Sequence, residues 1–299
     1  MQNNFLIGIP TFNEEASILN VITQIKLFIS KSNVQDCKFD VVFYDDGSTD
    51  NTVKFIRENS DFKVIVGKTN KGLGHAMKSL FQYAKENDVD GLIKLDGDGQ
   101  MNPQEILLFV KKFQDNSSDV LYGNRFFANS NYKMPITRKI GSRFFRLLFS
   151  LIGLKVKDPT NGFIFVSKKY LSDFYIFGNF NAAQQILLDS KIRKLKFEQI
   201  DINLQTRNAG DSFIGIRYPI YVITSMIGLL LYRKYSTYLM IPGLFLLIIG
   251  ISLFAYNIFI WFTGTATTIL SDPVLVVFLI IGFFMFITGL LIQLIKKDD

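Results

Sequence analysis

Two long apolar segments lie near the C-terminal end of the sequence. Residues 238–262 and 273–295 carry no charged side chain and are about 25 and about 23 residues long. Each is long enough to cross the roughly 30 Å hydrocarbon core of a bilayer as a helix. A buried core helix is the alternative, but two adjacent segments of this length favour membrane spans. The pattern therefore predicts two transmembrane helices within residues 236–299.

The charges that flank these segments predict their orientation. Arg233 and Lys234 precede the first segment, and Lys296 and Lys297 follow the second, whereas the linker between them has no lysine or arginine. Because positive charge is retained on the cytoplasmic side of a membrane, both ends are predicted to lie inside. The expected location is the plasma (inner) membrane, with a multi-pass topology.

Residues 218–235 form a shorter apolar stretch, with about 15 residues between Arg217 and Arg233. We interpret it as an amphipathic helix that lies along the membrane surface and leads into the first span. A packed helix that closes the preceding domain is the alternative. Residues 1–4 lack the basic start of a signal peptide, so residues 1–217 are predicted to form a cytoplasmic domain.

Within residues 1–217, short β-rich runs alternate with helical patterns. Strands are predicted at residues 5–9, 40–44, 63–66, 91–95 and 120–122. Helices are predicted at residues 15–30, 51–58, 74–86 and 103–114. This alternation is typical of an α/β fold, in which a mostly parallel sheet carries helices on both faces. Ligands of such sheets bind beyond the carboxyl ends of the strands.

Polar, acidic or glycine-rich turns follow four of the predicted strands, at residues 10–15, 45–50, 70–74 and 96–100. A sheet edge that serves stability alone does not need so many carboxylates, so the pattern predicts a ligand site. The turn after the first strand lacks the glycine triplet of a dinucleotide-binding fold. A phosphate loop ending at Thr69 is also excluded, because Phe62 stands where its first glycine is required.

Composition narrows the classes of protein and partner. The 299 residues are 48% hydrophobic with a mean hydropathy of +0.23, which excludes a disordered chain. The single cysteine, Cys37, excludes a disulfide scaffold. The net charge is +7, and about +6 of it falls within residues 1–217. By itself this charge admits nucleic acid, a membrane surface or phosphorylated ligands as partners. Together with the motifs described below, we expect it to serve phosphorylated ligands and the membrane, with no nucleic acid as a partner.

Asp96 and Asp98 are separated by one small residue, and Gln100 follows two positions later. Oxygen ligands of this kind suit Mg²⁺ or Mn²⁺, ions that usually hold substrate phosphates as well. An ordinary acidic turn is the alternative interpretation. Zinc is disfavoured, since one histidine and one cysteine cannot furnish a typical zinc site.

In their order and spacing, four motifs resemble those of glycosyltransferase family 2. They are Pro-Thr-Phe-Asn-Glu-Glu from Pro10, Asp-Asp-Gly-Ser-Thr-Asp-Asn-Thr from Asp45, Lys-Gly-Leu-Gly-His-Ala from Lys71 and Asp-Gly-Asp-Gly-Gln from Asp96. More narrowly, they resemble the polyprenyl-phosphate sugar transferases, of the dolichyl-phosphate mannose synthase type and its bacterial undecaprenyl-phosphate relatives. The resemblance covers about residues 5–215 and implies a Rossmann-like type-A glycosyltransferase domain, followed in the bacterial branch by two membrane spans.

The resemblance implies a site for a nucleotide sugar. Pro10, Phe12, Glu14 and one or both of Asp45 and Asp46 would hold the base, uracil or guanine, and its ribose. Lys71 and the glycine-rich start of the next helix would face phosphate, a position that favours anions. Asp96, Asp98 and Gln100 would ligate the metal ion that bridges the diphosphate.

The resemblance also implies a site for a lipid phosphate, formed by Arg125, Arg138 and Ser142. The planar guanidinium of arginine matches phosphate oxygens. A solvated basic face, formed by the lysines and arginines of this segment, is the alternative interpretation. Even that face would favour an anionic membrane.

Four residues are candidates for catalysis: Asp98, Asp158, Arg125 and Arg207. Asp158 matches an element at the family's active centre, and Arg207 matches a loop that closes over the diphosphate. Phe213 stands where relatives often carry a lysine. The lipid acceptor that the resemblance implies is a phosphate monoester. Such a group has a second pKa near 6 and is largely ionised at neutral pH, so it needs little deprotonation. We therefore hypothesise that Asp158 orients a substrate and acts as a general base only secondarily.

These features predict an inverting, membrane-bound glycosyltransferase of cell-envelope glycan synthesis. It would move a sugar from a UDP- or GDP-sugar to undecaprenyl or dolichyl phosphate at the cytoplasmic face. The alternatives are transfer to a glycan hydroxyl, or a non-catalytic membrane subunit that binds a nucleotide sugar. The sequence leaves open the sugar, the nucleotide and the polyprenyl chain. It also leaves open a homo-oligomer or an association with a flippase or a downstream transferase.

Overall fold

The computed structural model describes residues 2–31, 37–127, 136–204, 218–264 and 273–298. Side chains are described within these ranges except at residues 136–138, 218, 234, 235, 238 and 294–298. Contacts between residues divide the chain into two compact units, Met1–Met226 and Ile227–Asp299. Each unit has its own architecture.

The first unit is built on one sheet, whose strands within the described ranges follow the order β3-β2-β1-β4-β6-β5-β7. The strands are β1 (Asn3–Thr11), β2 (Cys37–Asp45), β3 (Lys63–Val66), β4 (Gly91–Lys94), β5 (Val120–Asn124), β6 (Ile164–Ser167) and β7 (Phe197–Asp201). The pairs β1–β2, β1–β4, β2–β3 and β5–β7 are parallel. The predicted α/β fold with a mostly parallel sheet is confirmed.

Helices connect these strands and cover the sheet. In this unit they are α1 (Ile18–Lys31), α2 (Thr52–Asn59), α3 (Leu73–Glu86), α4 (Ile106–Asn116), α5 (Ile136–Leu151), α6 (Lys168–Leu171) and α7 (Ala183–Ile192). In α1 the buried positions recur every three or four residues, as in Ile18, Val21, Ile22 and Ile25. That spacing places them on one face of the helix, which packs into the core.

The centre of the sheet is buried on both faces. Phe5, Leu6 and Ile7 of β1 are at most 1% exposed. The Phe5 ring makes an edge-on contact with Phe113, with ring centroids 5.7 Å apart. Full burial of such a side chain contributes about 1.5–3 kcal/mol. The core therefore fixes the strand whose carboxyl end opens into the first polar turn.

Strand β6 runs antiparallel to both of its neighbours, β4 and β5. Ile164, its first residue, pairs with Lys94 of β4 and with Tyr122 of β5. Because β6 begins where its neighbours end, the loop before it lies at the carboxyl edge of the parallel strands. This places residues 158–163 beside the turns that follow β4 and β5.

The second unit contains two long helices, α9 (Ser236–Phe262) and α10 (Pro273–Asp298). Helix α8 (Tyr218–Leu230) continues through a π-helical turn, Leu231–Tyr235, directly into α9. The segment predicted as an interfacial helix is thus helical, and its position against a bilayer stays a prediction. Segments Leu239–Phe262 and Pro273–Gln293 are long and apolar enough to cross a membrane.

Glycines allow α9 and α10 to approach closely. A Cβ atom added at Gly243 would lie 2.5 Å from the backbone nitrogen of Phe286. One added at Gly282 would lie 2.7 Å from the backbone nitrogen of Leu247. Small residues at such contacts let two helix backbones pack tightly where the solvent is lipid. The two helices therefore form a close antiparallel pair.

Candidate active site

A cavity of about 590 Å³ opens at the carboxyl edge of the sheet. Its walls come from the turns that follow β1, β2, β3 and β4, from Thr160, Gly162 and Ile164, and from residues 180–183. Among the residues predicted from the sequence, those that line the cavity are Pro10, Phe12, Glu14, Asp46, Asp96 and Asp98. The four polar turns therefore meet around one cavity large enough for a small-molecule ligand.

Reciprocal hydrogen bonds join the turn after β1 to the turn after β2. The backbone nitrogen of Asn13 donates to Ser48 Oγ at 2.9 Å, and that of Thr49 donates to Asn13 Oδ1 at 2.9 Å. The backbone nitrogen of Glu14 donates to Thr52 Oγ1 at 2.8 Å. The polar motif residues thus hold the first wall of the cavity in place.

Asp50 secures the same junction from the other side. Its carboxylate accepts hydrogen bonds from the backbone nitrogens of Thr52 and Glu15, each at 3.0 Å, and from the Thr52 hydroxyl. Burial alone raises the pKa of Asp50, but the hydrogen bonds from Thr52 and Glu15 outweigh it and lower the pKa below its ordinary value. The ionised carboxylate is therefore part of the folded loop.

Asp45 and Asp46, adjacent in the sequence, have different surroundings. Asp45 is fully buried, accepts a hydrogen bond from the backbone nitrogen of Ser48 at 2.9 Å, and does not line the cavity. Asp46 Oδ2 accepts from the backbone nitrogens of Gly72 at 2.6 Å and Lys71 at 3.0 Å. Asp46 Oδ1 is buried without a hydrogen-bond partner among the described residues. Of the two, only Asp46 presents an acceptor at the cavity wall.

The start of α3 closes this side of the cavity. Lys71 is exposed and does not line the cavity, although its backbone is held by Asp46. In the first turn, His75 Nδ1 lies 3.0 Å from the Tyr44 hydroxyl. Burial and the positive charge of Lys71 lower the pKa of His75, against the opposing charge of Asp46. The lowered pKa keeps His75 neutral at physiological pH.

Lys94 is a cavity residue that the sequence analysis did not identify. Its side chain is 3% exposed, and Nζ forms an ion pair with Asp96 Oδ1. Gly162 lies against this pair, since a Cβ there would stand 2.6 Å from Lys94 Nζ. A lysine within a buried strand was the available signal, because lysine is almost never fully buried without a partner.

Asp98 and Gln100 lie in the turn after β4. The backbone nitrogen of Gln100 donates to Asp98 Oδ1 at 3.0 Å, and Gln100 does not line the cavity. Within the described ranges, no three His, Cys, Asp or Glu side chains are placed to share a metal ion. Two carboxylates at a cavity wall nevertheless fit Mg²⁺ or Mn²⁺, because such ions take one or two protein carboxylates and complete their shell with phosphate and water oxygens.

Arg125 and Asp158 form a buried, bidentate ion pair. Arg125 Nε lies 2.7 Å from Asp158 Oδ2, and Nη2 lies 3.0 Å from Oδ1. Asp158 is fully buried and Arg125 is 7% exposed. Arg125 Nη2 also donates to Thr160 Oγ1 at 3.0 Å, and Thr160 lines the cavity. The guanidinium is thus one residue removed from the cavity wall.

The remaining predicted residues are described only in part. Ser142 lies on the buried face of α5, 1% exposed, and its hydroxyl has no hydrogen-bond partner among the described residues. Arg138 belongs to α5, but its side chain lies outside the described residues. Arg207 lies outside them altogether. The roles of Arg138 and Arg207 stay predictions.

We expect Asp50→Asn to lower the melting temperature of the full chain in detergent at pH 7. Since the folded pKa of Asp50 is lowered, its contribution is present above the unfolded value of about 3.8 and is lost as the pH falls through the folded pKa. The difference from the wild type should therefore shrink towards pH 3. The exposed Asp61→Asn serves as the control. A difference that is constant from pH 3 to pH 8 would contradict this assignment.

Comparisons with known proteins match the fold and the motifs. The model of the family described as "Glycosyl transferase family 2" matches residues 6–174. A UDP-N-acetylglucosamine–dolichyl-phosphate N-acetylglucosaminyltransferase of Methanococcus voltae is 30% identical over 216 residues, covering 65% of this chain and 82% of that protein. An undecaprenyl-phosphate mannosyltransferase of Micrococcus luteus is 24% identical over 229 residues, covering 74% and 84%.

Solved structures share the fold of the first unit. The glucosyl-3-phosphoglycerate synthase of Mycobacterium tuberculosis, in complex with Mn²⁺ and UDP-glucose, has a TM-score of 0.59 at 17% identity, over 77% of this chain and 79% of that one. A likeness at this identity shows the type-A glycosyltransferase fold alone. The family model, in contrast, matches more than half of the sequence. The chain is a glycosyltransferase and belongs to glycosyl transferase family 2.

Proposed function

We propose that this enzyme transfers a sugar from a UDP- or GDP-sugar to a polyprenyl phosphate, undecaprenyl or dolichyl, at the cytoplasmic face of a membrane. The observation that carries the proposal is the position of Thr160. It lines the acidic cavity and accepts a hydrogen bond from Arg125, so a buried guanidinium lies one residue behind the cavity wall. An arginine there suits a second, phosphorylated substrate.

The polyprenyl acceptor has separate support. The two relatives described above are named for transfer to dolichyl phosphate and to undecaprenyl phosphate. Two helices long enough to cross a membrane would keep the enzyme at the bilayer where such a lipid resides. Flanking lysines and arginines favour an orientation with the catalytic unit in the cytoplasm.

The nucleotide sugar would bind in the 590 Å³ cavity. Asp46 Oδ1 would accept a hydrogen bond from the base or from a ribose hydroxyl, since it is a buried acceptor that has no partner in the part of the chain that the structure describes. Pro10 and Phe12 supply apolar surface for the base, and Glu14 a further acceptor. Lys71, exposed at the start of α3, would approach the phosphates.

Asp96 and Asp98, with Gln100 beside them, would hold Mg²⁺ or Mn²⁺. When bound, such an ion offsets the charge that develops on the departing diphosphate. Lys94, which forms an ion pair with Asp96, lies at the same wall. Arg207, from the loop that resembles the family's closing loop, would contact the diphosphate.

In the reaction, an ionised oxygen of the polyprenyl phosphate would attack the anomeric carbon of the sugar. The carbon–oxygen bond to the nucleoside diphosphate breaks, its electron pair stays with the diphosphate, and attack from the opposite side inverts the configuration. No proton has to be removed, because the acceptor phosphate is largely ionised near neutral pH. Arg125, Arg138 and Ser142 would hold this phosphate.

Asp158 has a positioning role in this scheme, because both of its carboxylate oxygens contact Arg125. We expect Asp158→Asn to lower kcat/KM for the lipid acceptor about 10- to 1000-fold, in line with the loss of one partner of a buried charge pair. KM for the nucleotide sugar should change much less. The shape of the pH–rate profile should be retained, since no proton is transferred to Asp158 in this scheme.

The matched control is Asp119→Asn. Asp119 is also a buried carboxylate in an ion pair, but its partner is Lys169, whose Nζ lies 3.0 Å from Asp119 Oδ2. This variant should lose stability without a change specific to the acceptor. Loss of one limb of the pH–rate profile in Asp158→Asn, with both KM values unchanged, would identify Asp158 as a general base and overturn the positioning role.

Lys94 should modulate metal binding, because its ammonium group competes with a cation for Asp96. We expect Lys94→Met to bind Mn²⁺ about tenfold more tightly than the wild type in the absence of nucleotide sugar, since a repulsive charge has been removed. Calorimetric titration of the full chain in detergent measures this affinity. Lys85→Met, an exposed lysine of α3, is the control. Unchanged or weaker binding by Lys94→Met would contradict the competition.

The proposed function is tested with membranes that contain the full chain, undecaprenyl or dolichyl phosphate, Mg²⁺ or Mn²⁺, and a panel of radiolabelled UDP- and GDP-sugars. We expect one nucleotide sugar to yield a labelled, solvent-extractable lipid whose sugar is released by mild acid, as expected of a glycosyl phosphate. Asp98→Asn membranes should form less than about 1% of it, as expected when a metal ligand is lost.

The alternatives give different products. Label that enters a glycan, but no acid-labile lipid phosphate, would establish transfer to a hydroxyl acceptor instead. No labelled product with any nucleotide sugar would favour the non-catalytic subunit, which the family membership already disfavours. Either outcome would overturn the polyprenyl phosphate proposal.

A further inference from the structure

The walls of the candidate active-site cavity differ in polarity. One wall is acidic and carries carboxylates of the turns after β1, β2 and β4. The other wall consists of apolar side chains that line the cavity although each is at most 9% exposed: Ala76, Met77, Ile164, Ala182 and Ala183. These five side chains offer no hydrogen-bond donor, and their one heteroatom, the Met77 sulfur, is a weak acceptor. We call this surface the apolar wall.

Two polar side chains beside the apolar wall are already hydrogen-bonded within the protein. Asn181 Oδ1 accepts from the backbone nitrogen of Ala183 at 3.0 Å, and Asn181 Nδ2 donates to Gln184 Oε1 at 2.9 Å. The Thr160 hydroxyl donates to Asp158 Oδ1 at 3.2 Å and accepts from the guanidinium described above. In the part of the chain that the structure describes, a ligand hydroxyl at the apolar wall would therefore compete with existing hydrogen bonds for a partner.

The order of the strands indicates which part of a nucleotide sugar meets the apolar wall. In the sheet, β1 lies between β2 and β4, and β6 lies on the far side of β4. Under the proposed function, the base lies at the turns after β1 and β2, and Asp96 and Asp98 hold the metal ion and the diphosphate after β4. The sugar, at the end of the diphosphate, then lies on the β6 side. Ile164 is the first residue of β6 and pairs with Lys94, so the apolar wall begins beside the sugar.

We propose that the donor sugar carries a methyl-bearing substituent, either an N-acetyl group or the methyl group of a 6-deoxy sugar, which packs against the apolar wall. Burial of a methyl group is favourable, whereas a hydroxyl buried there gives up its hydrogen bonds to water. The three alanines leave room beside Met77 and Ile164 that larger side chains would fill. The inference rests on the proposed function and deepens it, because it names the class of sugar that the donor carries.

The test compares nucleotide sugars in pairs that differ at one position of the sugar. UDP-N-acetylglucosamine is paired with UDP-glucose, UDP-N-acetylgalactosamine with UDP-galactose, and GDP-6-deoxymannose with GDP-mannose. The first two pairs examine the N-acetyl group, and the third examines the 6-deoxy sugar. Calorimetric titration of the full chain in detergent with Mn²⁺, without any acceptor, measures each affinity. In at least one pair, the methyl-bearing sugar should bind about tenfold or more tightly than its partner, as expected of a methyl group in an apolar pocket.

Substitution of Met77 tests whether the apolar wall is the cause. Met77→Gln places an amide of similar size in the wall, and it should reduce the preference for the methyl-bearing sugar about fivefold or more. Met77→Leu keeps the wall apolar, and it should retain the preference. UDP and GDP, which lack a sugar, should bind to both variants alike, and a melting curve verifies that both variants fold.

Equal or undetectable affinities within every pair would overturn the inference, and so would tighter binding of the sugars that lack the methyl group. A preference that Met77→Gln leaves unchanged would overturn the role of the apolar wall. These titrations contain no acceptor, so they are separate from the test of the proposed function. A methyl-bearing sugar that binds preferentially but yields no labelled lipid would contradict the polyprenyl phosphate acceptor and support the inference about the donor.

Discussion

The carboxylates at one edge of the sheet impose the constraint on which this site depends. A carboxylate that is withdrawn from water needs a hydrogen-bond donor or a cation to replace its lost hydration. Backbone nitrogens serve Asp45, Asp46, Asp50 and Asp98, and Lys94 serves Asp96. The same hydrogen bonds join the turns to one another, so they both stabilise the charges and shape the cavity.

The buried carboxylate of Asp158 is also stabilised by a specific partner, the guanidinium of Arg125. Removing two charges from water is expensive, and an attraction between them offsets this cost only when the geometry is good. The bidentate contact and the hydrogen bond to Thr160 provide that geometry. An arginine arranged in this way keeps its orientation before any substrate arrives, which lowers the entropic cost of binding a phosphate.

Local sequence patterns were sufficient to predict the strands β1–β5, the helices α1–α4 and the sheet edge at which the turns after the strands meet. They could not reveal the antiparallel β6, because strand direction depends on pairing between distant segments. They could not separate Asp45 from Asp46 either, since adjacent carboxylates differ only in which backbone amides reach them. Lys94 could not be predicted as a cavity residue, because only its burial in the folded protein distinguishes it from a surface lysine. Arg207 and the Arg138 side chain lie outside the described residues, so their roles rest on the resemblance alone.

The antiparallel strand β6 also sets the distance between the ends of its two neighbours, β4 and β5. With β6 inserted between them, the ends of β4 and β5 stand two strand spacings apart, about 10 Å. Ladders of backbone hydrogen bonds hold both spacings, so the gap is set by the main chain. Under the proposed function, this gap separates the departing phosphate from the incoming one. The short loop that leads into β6 lies at this gap, and its Thr160 and Gly162 line the cavity.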